Sequence, residues 1–144
     1  MSGQDTRSLD LPPTARSTRE ARHFVDATLT DWDLTALRDT ALLLTSEVVT
    51  NSVLHARSRV HVEILRADDG VTIEVSDASV RTPIRRAQSG DATTGRGIDL
   101  LEQLASSWDV TVRSDGKTIS FSLRSNTDPW AAYSNANWRQ ELQR

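Results

Sequence analysis

Glu47 and Asn51 stand four residues apart in the mostly apolar run from Leu42 to Leu54. On a helix that spacing puts them on one face. A charge in such a run is costly without a partner. In one reading Glu47 closes a core salt bridge and Asn51 bonds to backbone. In the other, Asn51 offers an oxygen to Mg²⁺, a hard cation that prefers oxygen ligands and keeps several waters. Glu47 would then serve as a general base or orient a water. His55 continues the same face one turn on, where a helix C-terminal charge is the simpler role.

Asp77 follows a strand-like segment. An aspartate there either forms the turn or accepts a hydrogen bond from an exocyclic amine such as that of adenine. Gly95-Arg96-Gly97 precedes an apolar helical pattern. Glycines let backbone approach a ligand, and a helix N-terminus offers free N–H groups to phosphate. The alternative is an ordinary glycine-bearing loop. Neither a dinucleotide-binding fingerprint nor a phosphate-loop lysine motif is present.

Positioning these residues requires a particular set of elements. Ser8 to Leu11 reads as a short edge strand ended by Pro12-Pro13. Thr14 then caps a helix to about Leu29, on which Ala21, Val25 and Leu29 repeat at helical spacing. Asp31-Trp32-Asp33 breaks that pattern. A second helix runs from about Thr35 to Ala56, capped by Asp33 or Thr35. Leu37, Ala41, Leu44 and Val48 form one apolar stripe on it, and Leu42, Val49 and Val53 a second. Val60 to Leu65 and Val71 to Ser76 alternate as strands around the turn Asp68-Asp69-Gly70. The polar stretch 78–96 has the length of a functional lid. A helix over about Ile98 to Ser106 follows. Val110 to Arg113 and Thr118 to Leu123 then close a last hairpin.

This order predicts an α+β fold, a two-layer α/β sandwich with helices on one face of a mostly antiparallel mixed sheet. Residues 1–7 are expected to be a flexible N-terminus, 8–124 the domain, and 125–144 a polar tail carrying Trp130, Tyr133 and Trp138. The 144 residues suit one domain. The chain is 37% hydrophobic and 26% charged, with a net charge of -3. That balance argues against general affinity for nucleic acid or anionic membrane. There is no cysteine, which excludes disulfides and thiolate metal sites. No window approaches the roughly 18 apolar residues of a membrane span. A cytoplasmic protein is expected. Lys117 is the only lysine.

Taken in order and spacing, these residues resemble the GHKL ATPase/kinase superfamily. Glu47-Val48-Val49-Thr50-Asn51 is similar to its N box, Asp77 to the aspartate of its G1 box, and Thr94-Gly95-Arg96-Gly97-Ile98 to its G2 box. Gly116-Lys117-Thr118 falls where the superfamily has a late threonine. The resemblance spans about residues 8–124 and is strongest toward the anti-sigma-factor serine kinases and their single-domain bacterial relatives. It implies the Bergerat ATP-binding fold, with ATP and Mg²⁺ as ligands. By it Asn51 holds the metal and Glu47 is the base toward a serine hydroxyl. Asp77 reads adenine, Gly95, Arg96 and Gly97 line the lid, and Thr118 supports the adenine end. Ser79 and Arg81 stand where the G1 box has glycines, and Thr93 where the sporulation-type kinase has arginine. Arg96, or Arg85 and Arg86, would supply phosphate charge instead.

The resemblance also implies partners: a sigma factor and an antagonist protein phosphorylated on serine. A homodimer is compatible with it, since relatives of this type often dimerise. Arg16, Arg19 and Arg22 are either a contact surface or a solvated basic face. Two rivals to the kinase remain: a slow ATPase, and a regulatory module that acts by protein contact with or without nucleotide.

Overall fold

Alternating apolar residues become the inner face of an antiparallel sheet. The computed structural model describes residues 5–79 and 99–125. Its strands are β1 (Thr6–Leu11), β2 (Val60–Ala67), β3 (Gly70–Asp77), β4 (Ser107–Arg113) and β5 (Gly116–Arg124). They lie in the order β1-β2-β3-β5-β4. Every neighbouring pair among the described residues is antiparallel. Val62 and Ile64, then Val71, Ile73 and Val75, then Ile119, Phe121 and Leu123 all point inward and are buried. Helices α1 (Arg16–Asp31) and α2 (Arg38–Ala56) pack on this face, α1 against β1 and α2, and α2 against β2 and β3. The two-layer α+β arrangement is therefore the expected one, with helices on one side of the sheet.

The other face is polar. Ser76 and Thr118 share a hydroxyl hydrogen bond of 2.8 Å, and so do Thr72 and Ser122. On the same face His61 on β2 lies between Asp10 of β1 at 2.8 Å and Glu63 at 3.3 Å.

Several element ends differ from expectation. β1 begins at Thr6, because Arg66 N–H donates to the Asp5 carbonyl and extends the ladder past Ser8. Thr6 and Arg7 thus belong to the sheet rather than to a free N-terminal segment. At the start of α1 the Thr14 carbonyl accepts the Ser17 N–H, while the Thr14 hydroxyl meets the Ser17 hydroxyl. Helix α1 continues to Asp31. It closes with Leu34 N–H donating to Leu29 and Asp33 N–H donating to Thr30, the paired bonds of a Schellman ending. Asp33 takes the left-handed position with φ of 59°.

Trp32, which breaks the helical pattern in the sequence, is a buried core residue only 4% exposed. The guanidinium groups of Arg7 and Arg66 lie 5.7 and 5.8 Å from its ring centre. A 3₁₀ turn over Thr35–Leu37 precedes α2, so the expected single helix begins as a tighter turn. Arg38 then bonds Asp26 of α1 at 2.7 and 3.2 Å, tying the two helices together. That hydrogen bond holds the Asp26 carboxyl below its usual range. Residues 99–104 are helical, with Leu101 and Leu104 buried, and β4 starts at Ser107, three residues before the expected Val110.

Candidate functional site

Helix α2 places Glu47 and Asn51 one turn apart. The buried residues Ala41, Leu44, Thr45, Val48, Val49 and Ser52 define its inner stripe. Glu47 and Asn51 flank that stripe and are part-buried, on the boundary between core and solvent. Asn51 Oδ1 is buried and has no hydrogen-bond partner among the described residues. A buried amide oxygen left unmatched costs about 1–3 kcal/mol, so it calls for an explanation. A hard cation provides one, because an amide carbonyl is a normal oxygen ligand for Mg²⁺.

Among the described residues no group of three or more His, Cys, Asp or Glu could cage a metal. Mg²⁺ binds one or two protein oxygens and completes its shell with waters and phosphate. Asn51 is therefore the residue that would hold the ion. His55 lies exposed in the last turn of α2, where a helix C-terminus favours positive charge.

At the sheet, Asp77 is the last residue of β3 and sits opposite Lys117 of β5. Strand alternation puts Asp77 on the same face as Val71, Ile73 and Val75, toward the helices. Lys117 reaches that face two residues before Ile119. Its Nζ donates to Asp77 Oδ1 at 2.9 Å and Oδ2 at 2.8 Å. Their side chains are 8% and 1% exposed, so this is a buried ion pair. Asp77 Oδ1 also accepts the Ser79 N–H at 2.8 Å. Gly116, next to Lys117, leaves no room for a Cβ, because one there would collide with the Asp77 carbonyl. The glycine lets β5 approach close enough for the pair to form.

Thr118 lies on the opposite face. Its hydroxyl bonds Ser76 and accepts from Arg113 at 2.9 Å. The expected adenine-supporting threonine thus does not share a face with Asp77, and Lys117 does. The parity of β5 carried this information: with Ile119, Phe121 and Leu123 inward, Lys117 must also be inward and Thr118 outward. Gly95, Arg96 and Gly97 lie outside the described residues, as do Arg81, Arg85, Arg86, Thr93 and the tail aromatics.

The described geometry leaves a buried amide oxygen and a part-buried carboxylate one turn apart on α2, and a buried aspartate at the end of β3 on the helix-bearing side of the sheet. A family model for the histidine kinase-like ATPase domain matches residues 11–123. The chain belongs to this family. The matched span contains Glu47, Asn51, Asp77 and Lys117, and takes in β2, β3, β4 and all of β5 but its last residue, while β1 enters it only at Leu11. No curated protein matches the chain. In this histidine kinase-like ATPase domain no helix among the described residues is long and apolar enough to cross a membrane.

Proposed function

We propose that this histidine kinase-like ATPase domain binds Mg-ATP and acts as a serine kinase of the anti-sigma-factor type. Its substrate would be a small antagonist protein, and its output the release or capture of a sigma factor. The observation that carries the nucleotide part is Asn51 Oδ1, a buried oxygen without a partner among the described residues, one turn from a carboxylate. A bound Mg²⁺ would supply charge neutralisation for phosphoryl transfer. Asn51 would hold that ion through its side-chain oxygen. Glu47, a turn earlier on the same flank, would take a proton from a serine hydroxyl. Asp77 would accept the exocyclic amine of adenine, and Gly95, Arg96 and Gly97 would meet the phosphates.

A second reading has its own observation. Asp77 already accepts from Lys117 on both oxygens and from the Ser79 N–H on Oδ1. Ser79 and Arg81 also replace the glycines of the G1 box. Both favour a regulatory module that works by protein contact with weak nucleotide binding or none.

Phosphotransfer separates the two. With labelled ATP and a candidate antagonist, the wild type is expected to label a serine, and Glu47→Gln to lose about 10²–10⁴ of that rate while keeping its nucleotide affinity. Wild-type protein that binds Mg-ATP yet labels no antagonist from its own genome would support the module instead.

A further inference from the structure

We infer that Lys117 is an internal competitor for the base end of the nucleotide site, and that a purine must displace its ammonium from Asp77. The inference rests on the Mg-ATP reading above and concerns how that site is controlled. A carboxylate offers about four acceptor positions on its two oxygens. On Asp77 the Lys117 ammonium takes one on each oxygen and the Ser79 N–H takes another on Oδ1. The side chain is only 1% exposed. Both positions on Oδ1 are therefore taken, and the one left on Oδ2 lies beside the ammonium on a buried side chain, so an exocyclic amine has no open approach while Lys117 stays in place.

The pair is also built in by the backbone. Asp77 and Lys117 are direct cross-strand partners, and Gly116 is the residue that permits the close approach. Lys117 can leave without breaking the ladder, because its contact with Asp77 is made by the end of a flexible four-carbon stem. The exocyclic amine is neutral, so it replaces the hydrogen bond to Asp77 but not the charge, and parting the ammonium from the buried carboxylate is a cost that the nucleotide must meet. The consequence is a nucleotide affinity set below that of the same site without the lysine. A partner protein that draws Lys117 outward would raise it.

Since Lys117 is the only lysine, the wild-type chain can be read directly. Acetylation of Lys117 by an amine-reactive ester, followed by mass spectrometry, is expected to be slow in the free protein. It should speed up at least tenfold at saturating Mg-ATP, as the ammonium leaves Asp77. Lys117→Met, which keeps the stem and removes the charge, is expected to bind Mg-ATP at least tenfold more tightly by calorimetry. Unchanged or slower acetylation with nucleotide bound would overturn the inference, as would equal or weaker binding by Lys117→Met; either result leaves the Mg-ATP reading standing. If neither chain binds Mg-ATP, both readings fall. Should Lys117→Met not fold, the wild-type acetylation rate decides alone.

Discussion

The oxygen of Asn51 is the residue-scale fact on which the nucleotide reading turns. Folded proteins match nearly all their buried polar groups. A carbonyl oxygen left over on the flank of a central helix is therefore a cost retained for something outside the described residues. This gives an expectation that a structural asparagine would not meet. Asn51→Ala should change stability by less than about 1 kcal/mol, or raise it, since no hydrogen bond is lost at Oδ1. Urea unfolding of both proteins measures this. A loss above about 2 kcal/mol would mark Asn51 as a structural residue. The sequence carried Asn51 and Glu47 clearly, because helical spacing alone puts them together. It hid the state of Asp77. Only the pairing of β3 with β5 shows that the carboxylate faces Lys117, and register between strands 40 residues apart is a tertiary property. The face of Thr118 was hidden for the same reason: a one-residue shift along a strand exchanges faces.

At the scale of elements, strand alternation and helical stripes were legible, and element ends were not. Leu37, Ala41, Leu44 and Val48 are all buried as their spacing requires. The end of α1 lacked a glycine to announce it. Asp33 takes the left-handed position instead and closes the Schellman pair, so the helix runs past Leu29 and carries Trp32 into the core. Asp33→Gly is expected to stabilise the protein by about 1 kcal/mol, since a side chain in that conformation costs roughly 1–2 kcal/mol. A rise in thermal midpoint would show it, and a fall would mean that the Asp33 side chain contributes more than its backbone costs.

The edge strand has a pH-sensitive tie. The hydrogen bond that His61 donates to Asp10, helped by Glu63, raises the His61 pKa. The folded value therefore exceeds the unfolded one of about 6.5. The stabilisation is complete below that pH and is lost as pH rises through the raised value. With the His61 side chain 39% exposed, solvent screening keeps the effect below about 1 kcal/mol. Stability measured from pH 5.5 to 8.5 should fall more steeply in the wild type than in His61→Gln. Parallel curves would assign the pairing no role in stability.

For the molecule as a whole, the sheet divides the surface into two unlike sides. The outer face carries paired hydroxyls and the His61 cluster, while the side bearing the helices holds the core, Asn51 and the Asp77–Lys117 pair. Every residue proposed to act on nucleotide among those described belongs to that second side. The family membership accounts for this arrangement, since the match from Leu11 to Leu123 spans both helices and every strand but most of β1. Calorimetric titration of Mg-ATP into the wild type and into Asn51→Ala tests the central claim most directly. The account predicts saturable binding that depends on Mg²⁺ and that weakens at least tenfold, about 1.4 kcal/mol, in the variant. Heatless titration of the folded wild type at several temperatures, or binding undiminished by Asn51→Ala, would contradict it.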